Sequence, residues 1–164
     1  MIIRSEAFED IDAIYRMTAD AFALQEYSDG TEPDIVNGLR NAASLKFSFV
    51  AEENGVILGH VAISPVAIEG QTDWYGLGPI AVTPERQKQG IGSVLMQRAL
   101  SELSQINAGG CVLVGDPAYY ERFGFSSNGT LTYADVPTEY VQFNCLNGSE
   151  PSGEIIYHRA FGGA

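Results

Sequence analysis

The sequence predicts an α/β protein built on a mixed central sheet. Three observations carry this reading. Short β-rich runs alternate along the chain with stretches of helical periodicity. Asn54-Gly55 separates two β-rich runs, and a type I′ hairpin turn needs positive φ at both central residues. In the middle of the chain a strand, a helix and a second strand follow one another, the order of a right-handed parallel crossover. Read in full, the order is β-α-α-β-β-β-α-β-α-β-β, about seven strands flanked by about four helices.

Each element follows from local pattern. "MIIR" opens as a strand. "EDIDAIYRMTADAFA" puts Ile11, Ile14, Tyr15, Thr18 and Phe22 on one helical face. "TEPDIVNGLRN" predicts a second helix, with Thr31 as N-cap and Pro33 in its first turn. "KFSFVAEENGVILGHVAISPVAI" is the hairpin, and "TDWYGLGPIAV" the strand after it. The helix from about Gly90 to Gln105 carries Ile91, Val94, Leu95, Ala99 and Leu103 toward a sheet. "CVLVG" is a strand, "PAYYERFGF" a short helix or turn, and "YVQFNCLNG" and "GEIIYHRAF" close the sheet. No repeat or long linker divides residues 1–164, so one domain is expected.

Composition narrows the function classes. A net charge of −12 disfavours a nucleic-acid binder, which usually presents a basic face. The acidity either steers cationic substrates or serves solubility. No apolar run is long enough to span a bilayer, and the N-terminal stretch lacks a signal-peptide core, which points to a cytoplasmic protein without a membrane partner. Cys111 and Cys145 lie in strand-like apolar surroundings without metal spacing, so both are expected as buried reduced thiols and no metal site is predicted.

The stretch "PIAVTPERQKQGIGSVLMQRAL" is where the chain shows chemistry. No Ser, Thr, Asp or Asn precedes the helix at Gly90, so its first amides need another partner. Glycines at 90 and 92 allow close approach, and amides plus dipole favour an anion such as phosphate. Arg86 and Lys88 add local positive charge. The string is neither a Walker loop nor a dinucleotide fingerprint, since the position of a third glycine is Leu95. The competing reading is glycines used for close helix–sheet packing.

"VTPERQKQGIGSVLM" resembles the acyl-CoA loop of the GNAT superfamily of N-acetyltransferases, V-x-P-x-x-[QR]-x-x-G-x-[GA]. Val82, Pro84, Gln87, Gly90 and Gly92 fill its fixed positions. "DPAYYERFGF" is similar to the family's A-x-x-x-Y-x-[KR]-x-G-F through Tyr120, Arg122, Gly124 and Phe125, with Ala118 nearer the tyrosine than usual. The combination with "GLGPIAV" looks most like a bacterial branch of small predicted acetyltransferases.

The resemblance implies the GNAT acyl-CoA N-acyltransferase fold and acetyl transfer from acetyl-CoA to a primary amine, without a metal. It implies that Gln87, Lys88, Gln89, Gly90, Ile91, Gly92 and Ser93 cradle the pyrophosphate. Pro79 cannot donate to a ladder and Gly78 weakens one, so this strand is expected to splay from "CVLVG". Amides of Ile80, Ala81 and Val82 would then meet the pantetheine or the thioester carbonyl. The family's acid position falls on Tyr120, suited to protonate the leaving thiolate. The strand carries no carboxylate beyond its entry, so Asp73, His60 or a water relay is the candidate base. Tyr27, Asp29, Glu32 and Trp74 are expected near the acceptor. The protein is expected as a monomer or homodimer, and the alternative function is an acyl-CoA-binding sensor with little turnover.

Overall fold

In a computed structural model, which describes residues 1–162, the chain forms one six-stranded sheet and one two-stranded sheet. In chain order the elements are β1 (Ile2–Ser5), α1 (Ile11–Ala23), α2 (Glu32–Asn41), β2 (Phe47–Glu53), β3 (Val56–Val66), β4 (Trp74–Val82), α3 (Ile91–Gln105), β5 (Gly110–Val114), α4 (Pro117–Tyr120), β6 (Leu131–Thr132), β7 (Val141–Cys145) and β8 (Gly153–Glu154). The large sheet runs β1-β2-β3-β4-β5-β7, and β6 pairs with β8. Only β4 and β5 run parallel within it, so the sheet is mixed as the hairpin and crossover require. Among the described residues no helix is long and apolar enough to cross a membrane.

The hairpin turn forms at Asn54 and Gly55, with φ of 52° and 80°. A bulge between Ala51 and Glu52 then shifts the β2–β3 register by one residue, so that Val50 faces His60 and Ser48 faces Ala62. Because side chains alternate along a strand, this shift decides which residues share a face.

The core has three layers. On one face of the sheet α3 lays Leu95, Met96, Ala99 and Leu103 against Phe49, Val61, Ile63, Cys111 and Leu113. On the other face Ile14 of α1 and Val36 of α2 meet Val50 and Ala62, and Met17 and Ala21 meet Ala81. Fully burying each Leu, Ile, Val, Met or Phe among these is worth about 1.5–3 kcal/mol.

Several local expectations change. Tyr15 lies at the surface and donates to Asp34 at 2.9 Å instead of facing the core. Val94 is likewise exposed, because Met96 takes the buried place on α3. Thr31 does not cap α2; its hydroxyl is spent on Asp29, 2.6 Å away. Cys145 ends β7 exposed, while Cys111 is buried and its thiol pKa is pushed up by that burial. "GEIIYHRAF" adds no strand to the large sheet. It gives β8 and one bridge from Ile156 to Ala67, and Tyr157 packs with Tyr133 and Phe161. Trp74 is only 2% exposed, covers Gly109 and Gly110, and donates to Gln71 at 2.9 Å, so it cannot line an acceptor pocket.

Candidate active site

The crossover from β4 to β5 builds the site. The two strands pair only over Trp74–Gly76 and Gly110–Val112, and then part. On its other side β4 stays with β3, where the register shifts around the Gly78-Pro79 step. Pro79 has no N–H to offer a ladder. The backbone of Thr83 turns toward β3, donating to Leu58 at 2.8 Å. Strand alternation therefore turns Ala81 toward β3 as well, and turns Ile80 and Val82 toward the gap. The carbonyl of Val82 is used there by Gln87, whose side-chain amide donates to it at 3.0 Å. The backbone of Ile80 and the N–H of Val82 line the gap, whereas Ala81, expected with them, bonds to β3.

The loop after β4 delivers an uncapped helix start beside this gap. Lys88 and Gly90 both have positive φ, 63° and 87°. Gly90 occupies the N-cap position of α3 in left-handed conformation, and no side chain caps the helix. The first intrahelical bond is Val94 N–H to Gly90 at 3.1 Å, which leaves the amides of Ile91, Gly92 and Ser93 without helical acceptors. Amides so placed, at the positive end of the helix dipole, could hold an anion. Lys88 and Gln89 are exposed on the rim. Arg86 contributes less charge than its type suggests, because it pairs with Glu53 at 2.7 Å and with Gln89 at 2.9 Å.

The third wall is α4. Asp116 caps it by accepting from Ala118 at 2.9 Å, which orients the two tyrosines behind it. A Cβ on Gly92 would stand 3.6 Å from the Tyr119 hydroxyl and 3.8 Å from Val82, so β4, α3 and α4 converge here. The Tyr120 ring packs edge-on against Tyr119 with centroids 4.9 Å apart and lies against Gly115 at the end of β5. Burial, followed by Tyr119, Tyr27 and Asp116, pushes the Tyr120 hydroxyl up to about 12. It keeps its proton at neutral pH, as an acid must.

The two candidate bases separate. Asp73 is exposed at the entry of β4, with φ of 57° and its carbonyl accepting from Gly109 at 2.8 Å. Asp73 is eight residue steps from Ala81 along the strand, on the order of 25 Å. His60 stands directly across from Ala81. Its ring is fully buried under α1 and α2, with Nε2 2.7 Å from the Ser48 hydroxyl and 3.8 Å from Glu6. Nδ1 has no partner. Burial, with Arg40 acting the same way and Glu6 opposing, holds its pKa at about 4, so the ring is neutral near pH 7.

Sequence reasoning missed Glu6, Arg40 and Ser48 around this ring. Arg40 grips Glu6 at 2.7 and 2.9 Å, and the Ser48 hydroxyl donates to Glu6. A concavity of about 420 Å³ opens to solvent between Glu6, Arg40 and Ser48. A second, of about 630 Å³, lies between α1 and the hairpin and reaches Thr83.

A parted strand edge, an uncapped helix start and a buried protonated tyrosine, placed together, are parts that an acyl-transfer enzyme needs. Comparison with known proteins is specific. The acetyltransferase (GNAT) domain family matches residues 45–127. A GNAT family acetyltransferase from Brucella melitensis, solved in complex with acetyl-CoA, is 43% identical with a TM-score of 0.87, covering 98% of this chain and 97% of its own. The Escherichia coli N-acetyltransferase YhbS, solved in complex with CoA, has a TM-score of 0.85 at 29% identity, covering 98% of this chain and 91% of its own. The curated sequence of YhbS, described as an uncharacterized N-acetyltransferase, is 34% identical over 127 residues, 76% of this chain and 73% of its own. The chain belongs to the GNAT acetyltransferase family and is an N-acetyltransferase.

Proposed function

We propose that this protein transfers an acetyl group from acetyl-CoA to a primary amine by direct attack within a ternary complex. The observation that carries the reading is the gap between β4 and β5 at the foot of the uncapped α3. The acetyl-CoA and CoA complexes of the Brucella and Escherichia coli relatives support the donor.

In this reading the amides from Ile91 to Ser93, with Lys88 and Gln89 at the rim, hold the pyrophosphate. Gln87 fixes the loop on Val82. The pantetheine arm lies in the gap and bonds the free backbone of Ile80 and Val82. One such N–H also stabilises charge developing on the thioester oxygen. The amine attacks the carbonyl carbon, the C–S bond breaks, and Tyr120 shares its proton with the departing thiolate. His60 takes the proton from the amine nitrogen as that nitrogen bonds to carbon. A relay of waters serves the same step where the ring does not reach. Asp73 is left out by its place at the far end of β4. The α1–α2 loop, with Tyr27, Asp29 and Glu32, forms the acceptor wall; Tyr27 lies near enough to Tyr120 to act on its charge. The whole activity resides in one domain over 1–164.

Calorimetry with acetyl-CoA, followed by CoA-thiol release across a panel of amines, tests the reading. Binding with amine-dependent release is expected. Binding without release from any amine would identify an acyl-CoA sensor instead.

A further inference from the structure

The fully buried His60 ring has one nitrogen satisfied and one not. The hydrogen bonds around it fix which is which. Glu6 lies half-buried between Arg40 and Ser48. Burial raises its pKa, but the bonds from Arg40 and Ser48 outweigh that, so the carboxyl is held below its ordinary value and stays ionised. An ionised carboxylate only accepts hydrogen bonds. The Ser48 hydroxyl has one proton, and it is committed to Glu6. Ser48 can therefore only accept from His60, so Nε2 carries the ring proton. Nδ1 is then an acceptor, fully buried, to which none of the described residues donates. Leaving such an acceptor unpaired is unfavourable, and a bound donor would relieve it.

We propose that Ser48 and Glu6 are positioning residues which lock His60 in its Nε2–H tautomer and keep Nδ1 free for the acceptor amine. The proposal rests on the acetyl-transfer reading above, and it extends the site to β1, β2 and α2. His60 faces Ala81, the residue between the two gap-lining backbones of Ile80 and Val82. The two nitrogens of an imidazole diverge widely, so with Nε2 on Ser48 a donor to Nδ1 would come from another side of the ring.

The proton accounting is closed. As the amine nitrogen bonds to the carbonyl carbon, its N–H becomes far more acidic than in the free ammonium. That N–H bond breaks as the Nδ1–H bond forms. The resulting imidazolium keeps Nε2–H on Ser48, and Glu6, 3.8 Å from Nε2, offsets its charge. As product leaves, Nδ1 returns its proton to water. Among the described residues the charged groups that act on the ring are Glu6, from the turn after β1, and Arg40, from α2. Arg40 disfavours the imidazolium and also holds Glu6 in place, so neither acts alone. The logic is that of a carboxylate orienting a catalytic histidine, with a serine hydroxyl inserted between them.

The test has two arms. Nitrogen-15 NMR of the histidine rings in the wild-type protein reads the tautomer without any substrate; a single Nε2–H form is expected, and an Nδ1–H form would overturn the proposal. Kinetics then compare Ser48→Ala with Ser48→Thr, which keeps a hydroxyl. Ser48→Ala should mix the tautomers and lower kcat at least tenfold with KM for acetyl-CoA unchanged. Its deficit should shrink toward pH 10, where free amine becomes abundant, and Ser48→Thr should restore kcat. A Ser48→Ala enzyme with kcat and pH profile within twofold of wild type would sink it. Loss of acetyl-CoA binding by the wild type in calorimetry would instead refute the acetyl-transfer reading, leaving the tautomer result to stand or fall separately.

Discussion

Replacing Tyr120 by phenylalanine removes one oxygen and leaves the ring. The edge-on contact with Tyr119 and the packing against Gly115 remain, so the fold and the gap should be kept. What is lost is the proposed proton donor. With the hydroxyl pushed up to about 12, and a thiol near 8.5, complete transfer to a relaxed thiolate is uphill by about 5 kcal/mol. In the proposed mechanism Tyr120 therefore acts by a charge-assisted hydrogen bond to sulfur as charge develops, with solvent completing the transfer. Such a bond is worth about 1.5–3 kcal/mol, or roughly 10–100-fold in rate. Steady-state kinetics at saturating acetyl-CoA and amine should show kcat of Tyr120→Phe down by that factor. Calorimetry should show its acetyl-CoA Kd within about threefold of wild type. A kcat within twofold of wild type would remove Tyr120 from the mechanism. A large loss of affinity would mean that its hydroxyl holds the ground state, and the argument from developing charge would be wrong.

Further outcomes follow from the same geometry. Gly90→Ala forces a side chain into left-handed backbone at φ 87° with nothing nearby to clash, so it should cost about 1–2 kcal/mol and weaken acetyl-CoA binding. Gly92→Ala, with neighbours at ordinary contact distance, should hold or raise Tm; a scanning fluorimetry series with both variants separates strain from crowding. Gly110→Ala would place a Cβ 2.3 Å from the Trp74 ring and should lose about 1–3 kcal/mol in urea denaturation; an unchanged midpoint would contradict the placement of Trp74. His60, at about 4 in the fold against 6.5 ordinarily, favours the folded state above pH 6.5. That contribution disappears as pH falls from 6.5 through 4 and is level below, at most about 3 kcal/mol. Glu6 and Asp10, both held low, lose their contributions further down the same acid limb. Urea midpoints across pH 3–8 should fall over that window and flatten in His60→Gln.

Much of the architecture is legible in local chemistry. Asn54-Gly55 dictates its turn, Pro79 dictates a failed ladder, and the lack of a capping side chain before Gly90 marks the uncapped helix start. The proposed base is different. Without the bulge at Ala51–Glu52, the Asn54-Gly55 turn would put Ser48 and His60 on opposite faces of the hairpin. One inserted residue brings them to the same face and within 2.7 Å. Nothing in the hydrophobic alternation of "KFSFVAEENGVILGH" marks where that residue goes, because Ala51 tolerates either orientation. Glu6 and Arg40 are harder still, since their meeting depends on how α2 crosses the sheet. Asp73 looked eligible only because sequence proximity to the loop hides the length of an extended strand.

The parting of β4 from β5 also bears on how the molecule holds together. The ribbon β1–β4 and the ribbon β5–β7 share three residue pairs, Trp74–Gly76 with Gly110–Val112. Beyond them the sheet is a seam, spanned by α3 rather than by a ladder. A chain-like ligand laid in that seam stands in for a missing strand. Occupancy then becomes part of folding cooperativity, and the native state gains RT ln(1 + [L]/Kd) from it. In the free protein the amides of Ile80 and Val82 should exchange with solvent deuterium far faster than that of Ala81, one residue away and bonded to β3. The seam that receives the donor is thus also the line along which the fold is least committed until the donor arrives.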